Sequence, residues 1–333
     1  MRSLLVSCGK WSVPAVRPPR SAVRRRARDA GRVDGFVEHR ERLVGVAYRV
    51  LGRVADAEDV VQDAYLRWAA ADRGDVEDPE AFLVRVTTRL AIDRLRRARA
   101  RREVYPGEWL PEPVLTEDLA ERVVRDESVT LAVLVVLESL SPLERAVFVL
   151  RDVFGESYGA IAEMIGRREP AVRQLAARAR AHVREAKPRY EVDRERWREV
   201  SDRFFLACAT GGVDELLATL APDVRLTGDG GGLMPNARRV VRGPERTARL
   251  LRGILHGAGR DHFLDRLGAD ADDVGVAFVQ ANGLPGVVLT LNGRPVAFLQ
   301  PFVADGLVRD VYVITNPEKM AGLVPGGVAP IRA

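Results

Sequence analysis

Cysteine is nearly absent: among 333 residues only Cys8 and Cys208 occur, far apart. That excludes a disulfide framework and a zinc site built from cysteines, and it fits a reducing, cytoplasmic setting. Histidine is also scarce, with four in the chain. No clustering of metal-ligating residues is evident, so neither a metal nor a cofactor is expected. Long apolar runs are missing too. The longest, Leu131 to Leu137, falls far short of the roughly 20 residues that span a bilayer, so no membrane partner is expected. The apolar patch Leu4 to Val6 is too short for a secretory signal. Residues 1–32 hold nine basic side chains against one acid and read as a disordered basic arm. Lysine is the last shortage, with three against 49 arginines.

The formal charge of +5 conceals its distribution, and distribution is what a polyanion senses. Residues 85–102 carry eight arginines and one aspartate, and residues 166–189 carry eight basic residues and two glutamates. Between them, residues 104–140 hold eight acids and two arginines. Two basic islands joined by an acidic connector suggest two separate contacts with a nucleic acid; solvated charge runs are the plainer alternative.

Residues 156–184 read as a helix-turn-helix. Ile161, Ala162 and Ile165 line a short first helix, Gly166 permits the turn, and Pro170 falls where a first helical turn tolerates proline. Val172, Leu175, Ala176 and Ala179 recur at helical spacing and should be buried. Arg173, Gln174, Arg178 and Arg180 then face outward, and forked donors and amides are the groups that match base edges. Upstream, Asp34 to Arg102 is helical in pattern. Asp59, Gln62 and Asp63 make an acidic stripe suited to a basic protein partner. Arg85, Arg89, Arg96 and Arg99 fall within about 80° of one another at 100° per residue, a face for phosphates.

Residues 104–127 form a Pro- and acid-rich linker around Trp109, Leu110 and Pro111. A tryptophan placed there should dock on a surface, since burying such a ring is worth roughly 1.5–3 kcal/mol. After Pro188 come amphipathic helices and then short β-rich runs separated by Asn282-Gly283, Asn292-Gly293 and Asp305-Gly306, strong hairpin signals. An α+β domain with an antiparallel meander follows from that pattern.

Residues 34 to 188 resemble the extracytoplasmic-function sigma factors of bacterial RNA polymerase. The likeness rests on Ala55-Asp56-Ala57-Glu58-Asp59-Val60-Val61-Gln62-Asp63, on Arg89-Leu90-Ala91-Ile92-Asp93-Arg94-Leu95-Arg96, and on Ser157 to Arg180. The linker phrase Trp109-Leu110-Pro111-Glu112-Pro113, the run Asp229-Gly230-Gly231-Gly232 and Asn316-Pro317-Glu318-Lys319 are similar to motifs of the subgroup with a SnoaL-like C-terminal domain. The resemblance implies a multidomain chain: two all-α sigma domains, the second with the helix-turn-helix, and an α+β SnoaL-like cone. The boundaries expected are an arm at 1–32, sigma domain two at 33–103, the linker at 104–127, sigma domain four at 128–188, the cone at 195–322 and a tail at 323–333.

The same resemblance implies that Asp59, Gln62 and Asp63 bind the polymerase core through its β′ subunit, with β also a partner. It places Arg85, Arg89, Arg96 and Arg99 at the −10 element and Arg168, Arg173, Gln174, Arg178 and Arg180 at the −35 element of promoter DNA. Arg168 departs from the Ser or Thr usual before the recognition helix, weakening its N-cap. The cone is expected to be a fused regulator in which Trp109, Leu110, Pro111 and Asp229 to Gly232 make linker and interdomain contacts.

Relatives use such cones as enzymes. Here Asp229 is the one attractive general base, with His256 and His262 as remote candidates, and Asp-Gly-Gly-Gly reads better as a turn. No catalysis is expected, while a small-molecule ligand in the cone stays open. Two other readings stand beside this one: a non-sigma helix-turn-helix regulator with a ligand-binding cone, and a SnoaL-type enzyme.

Overall fold

The computed structural model describes residues 20–71, 76–102, 104–116, 130–186, 194–323 and 329–330. The first helical domain packs α1 (Arg20–Leu51), α2 (Val54–Ala70) and α3 (Pro79–Arg102) around Leu43, Ala47, Leu51, Val60, Val61, Leu83 and Leu95. Apolar residues three and four apart put one stripe of each helix inward. Helix α1 begins at Arg20, so part of the segment expected to be a disordered arm is helical; residues 1–19 lie outside the described residues.

The second helical domain comprises α4 (Leu131–Glu138), α5 (Pro142–Phe148), a π-helical turn (Val149–Val153), α6 (Tyr158–Ile165) and α7 (Glu169–Ala186). Its starts are set by local chemistry. The Thr130 hydroxyl accepts from Val133 N, Ser141 and Glu144 form a reciprocal capping box, and Ser157 Oγ accepts from Ala160 N. Val172, Ala176 and Ala179 of α7 are buried against α5 and α6. Helix α7 starts beyond Arg168, whose carbonyl accepts from Ala171 and Val172. The expected linker end, residues 117–127, lies outside the described residues, as do 187–193.

The cone domain wraps α8 (Arg194–Thr210), α9 (Val213–Thr219), α10 (Pro244–His256) and α11 (Ala258–Leu267) on a curved sheet. Its strands are β1 (Leu220–Asp229), β2 (Val241–Arg242), β3 (Val274–Ala281), β4 (Leu284–Leu291), β5 (Arg294–Ala304), β6 (Leu307–Ile314) and β7 (Ala329–Pro330), in the order β2-β1-β6-β5-β4-β3-β7. Strands β3 to β6 form the antiparallel meander. Asn282, Asn292 and Asp305 open its three turns at φ of 50°, 49° and 54°, each followed by glycine, the backbone that matches strand twist in two-residue hairpins. Strand β1, parallel to β6, has no clear alternation in the sequence because Pro222, Asp223 and Arg225 interrupt its apolar residues. Its pairing with β6 carries Asp229 to the end of the sheet beside Ile314.

Candidate nucleic-acid interface and linker clamp

The linker runs between the first helical domain and the cone and is hydrogen-bonded to both. Helix α2 begins after Arg53, whose side chain caps nothing, so its first amides need an acceptor from elsewhere. Glu112 supplies it: Oε2 accepts from Val54 N at 2.9 Å, and Glu112 N donates to the Gly52 carbonyl at 2.8 Å. Burial pushes the Glu112 carboxyl above the usual carboxylate range, against the Val54 amide that favours the charged form. Gly52, at φ +75°, ends α1, and a Cβ there would come within 2.8 Å of the Trp109 ring. Only glycine suits that combination of backbone and space.

On the other side, Tyr48 OH donates to the Glu112 carbonyl at 2.7 Å and accepts from Asn282 Nδ2 at 2.9 Å. Asn282 also clasps the backbone of Val114, its backbone N–H donating to the Val114 carbonyl and its Oδ1 accepting from Val114 N. The first hairpin turn of the meander therefore contacts both the first helical domain and the linker.

Asp229 organises the centre. It is fully buried, and its carboxylate accepts from Tyr105 OH at 2.6 Å, Leu110 N at 2.8 Å, Lys319 Nζ at 2.5 Å and Gly231 N at 3.1 Å. Lys319, 1% exposed, also donates to the Leu110 carbonyl and lies 4.0 Å from the centre of the Trp109 ring. Burial pulls the Lys319 ammonium down to about 8, opposed by Asp229. Burial raises the Tyr105 hydroxyl, and the Asp229 carboxylate raises it further. Asn316 Nδ2 donates to the Tyr105 oxygen. Gly230, Gly231 and Gly232 form the tight turn beneath this cluster, with Gly232 against Pro106. Pro111 is buried beside Leu110.

The basic face of α3 is divided. Arg96 is exposed and paired with Asp93, and Arg85 lies over the Phe82 ring at 5.6 Å. Arg89 instead donates to the Met164 carbonyl at 2.6 Å and the Glu163 carbonyl at 3.0 Å, and Arg99 to the carbonyls of Glu138 and Leu140. Arg89 stays exposed and Arg99 is half-buried, and both spend donors on backbone carbonyls of the second helical domain. The last carbonyls of a helix lack intrahelical donors and sit at its negative end, so guanidinium groups are drawn to them. Nearby, Glu138 pairs with Arg102 at 2.5 Å and with fully buried Arg145, and Arg102 stacks 3.3 Å from the Trp109 ring centre.

On the helix-turn-helix, Arg173 and Arg178 are 60% and 59% exposed and are steadied by Glu169 and Glu144. Arg180 bonds Asp152 at 2.7 Å and Tyr158 OH at 3.0 Å. Gln174 and Arg168 are exposed. On α2, Asp59, Gln62 and Asp63 are exposed along one face, with Asp59 also held by Arg94 at 2.6 Å.

Tyr105, Lys319, Asn316, Asn282 and Glu112 are clamp residues that reasoning on single positions missed. One signal existed: Lys319 is one of three lysines in an arginine-rich chain. A compact ammonium fits between a carboxylate and a carbonyl where a planar guanidinium would not.

Residues 36–101 match the family model for Sigma-70 region 2, and residues 130–183 match that for Sigma-70, region 4. A region 2 module followed by a region 4 helix-turn-helix is the architecture of a sigma factor. The chain is 40% identical over 298 residues to the ECF RNA polymerase sigma factor SigJ of Mycobacterium tuberculosis, covering 87% of this chain and 93% of that one. It belongs to the extracytoplasmic-function sigma factors of RNA polymerase. It is 40% identical over 190 residues to the probable ECF RNA polymerase sigma factor SigI of that organism, covering 56% of this chain and 66% of SigI. The crystal structure of M. tuberculosis SigJ superposes with a TM-score of 0.68 at 37% identity, covering 87% of this chain and 98% of that chain. Membership means that the chain binds core RNA polymerase and directs it to promoters to initiate transcription. No helix among the described residues is long and apolar enough to cross a membrane.

Proposed function

We propose that this sigma factor carries its own regulator, the cone domain, which acts by holding the linker against the first helical domain. The observation that carries this reading is the burial of Asp229 beneath linker groups, Tyr105 OH and Leu110 N–H. A linker so held fixes the distance between the two DNA-binding domains, and anything that binds the released form better shifts the balance toward it. The bonds from Arg89 and Arg99 to the second helical domain draw the two domains together in the free chain and occupy donors that phosphate would otherwise take.

Asp59, Gln62 and Asp63 supply the acidic face for the β′ subunit, with β a further partner on the core, and the assembly works in the cytoplasm. Arg85 and Arg96 meet phosphates near the −10 element, joined by Arg89 and Arg99 once the domains part. Arg173, Gln174 and Arg178 read bases at the −35 element, with Arg168 and Arg180 on the adjoining backbone.

The cone performs no catalysis in this reading. Asp229 is saturated by four donors and shielded from water, which leaves no lone pair free to take a proton from a substrate. His256 is engaged with the Cys208 carbonyl, and Phe298, Phe302, Tyr312 and Trp197 fill the interior.

The test is Tyr105→Phe combined with Asp229→Asn in the full chain, assayed by run-off transcription with core polymerase. Initiation should change while core binding persists. Unchanged run-off at matched protein levels overturns the regulatory role.

A further inference from the structure

Six arginines crowd one flank of the cone. Arg238 and Arg239 follow the Asp229 turn, Arg242 lies on β2, and Arg246, Arg249 and Arg252 run along α10. All are exposed, and Glu245 is the single acid among residues 238–252. Elsewhere in the domain Arg225 pairs with Asp310, Arg260 with Asp261, and Arg309 with both Asp223 and Asp305. Among the described residues, none of the six pairs with a carboxylate.

Their placement is ordered. Steps of three residues on α10 set Arg246, Arg249 and Arg252 in one oblique stripe about 9 Å long, opposite buried Thr247, Ala248 and Leu251. Strand β2, which leads through Gly243 into α10, is one edge of the sheet, so Arg242 sits at an open margin next to the first turn of that helix. Arg238 lies against the linker: a Cβ on Gly107 would sit 3.5 Å from its Cα. The ridge thus begins close to where α3 ends at Arg102.

Unpaired like charges side by side repel one another, and a polyanion relieves that repulsion. The chemistry of the ridge selects among polyanions. A helix lying on a membrane needs an apolar face free to enter it, and the apolar face of α10 is buried in the cone. Single-stranded nucleic acid needs aromatic platforms among the cations, and residues 238–252 contain no aromatic residue. Arginines alone, without amides to read bases, suit a duplex sugar-phosphate backbone.

We propose that the β2–α10 arginine ridge is a third DNA contact of this sigma factor, seating on phosphates of the promoter duplex next to the segment held by α3. The cone then contributes to promoter affinity as well as holding the linker. This inference rests on promoter binding by the family and not on the clamp.

The test uses holoenzyme assembled from core polymerase and the full chain. Arg246, Arg249 and Arg252 are changed together to Gln, or together to Lys, and promoter affinity is followed against salt. If each arginine neutralises one phosphate, the slope of log K against log salt becomes shallower by about 2.7 in the Gln variant, on specific and random duplex alike. The Lys variant should keep the wild-type slope. An unchanged slope in the Gln variant overturns the proposal. So does a Lys variant that loses as much as the Gln variant, which would make the ridge structural. Loss of binding to phosphatidylglycerol vesicles with the DNA slope intact would assign the ridge to lipid and also overturn it.

Discussion

Asp229 and Lys319 form a 2.5 Å ion pair that is closed to water, and one residue of the linker completes it. Leu110 gives its N–H to the carboxylate and its carbonyl to the ammonium. An ion pair of two cone residues therefore has most of its remaining bonding capacity satisfied by a segment outside the cone, Tyr105 and Leu110, beside the Gly231 amide. That makes the linker part of the cone's folding energetics.

Removing one charge leaves the other buried and unpaired, which costs roughly 3–5 kcal/mol. Asp229→Asn and Lys319→Met should each lower the urea midpoint of the cone accordingly. The double variant should recover much of the loss, because neither ion then remains buried. Tryptophan fluorescence would follow the transition, since Trp109 lies on Lys319 and Trp197 in the cone core.

The same lysine gives the clamp a pH dependence. Its value falls from 10.5 to about 8 in the folded chain, chiefly through burial. Between those values the unfolded chain binds more protons than the folded one, so stability rises with pH across that window. Below about pH 8 the burial cost is fully present. The difference in stability between wild type and Lys319→Met should grow in favour of wild type from about pH 8 to 10.5; a flat difference would contradict the shift.

Gly232→Ala should release the linker. The backbone there is left-handed at φ +73°, and a Cβ would lie 2.3 Å from Pro106 Cγ. The backbone alone costs about 1–2 kcal/mol, and the contact forces Pro106 away. Hydrogen exchange at residues 105–116 should accelerate while the helix-turn-helix keeps its protection.

Arg173→Ala and Arg96→Ala should differ in kind. Losing a base-reading fork costs about 1–3 kcal/mol on the preferred promoter and little on random duplex. Losing a phosphate contact weakens both and makes the salt slope shallower by about 0.9. Equal losses on both DNAs for Arg173→Ala would remove its base-reading role.

Elements whose cause is local were legible in the residues. Ser157, Gly166 and Pro170 punctuate the helix-turn-helix, and the Asn-Gly and Asp-Gly pairs mark the meander's turns, because caps and two-residue turns are decided within about four residues. Strand β1 was not legible, since its parallel partner lies far along the chain and its own alternation is broken. The division of the α3 arginines was equally hidden. Periodicity placed Arg89 and Arg99 on one face with Arg85 and Arg96, but only the docked second domain presents helix-end carbonyls to two of them.

Composition and spacing by themselves determined where the helices and hairpins form, which faces are basic or acidic, and that no thiol framework holds the fold. Tertiary structure decided which groups Asp229 meets and how deeply it is buried. Its partners Tyr105, Leu110 and Lys319 stand 124, 119 and 90 residues away, brought together by the pairing of β1 with β6 and by the path of the linker. A carboxylate in a glycine turn can be a solvated cap, a catalytic base or a buried counterion, and the dielectric and donors that choose among these belong to the assembled fold.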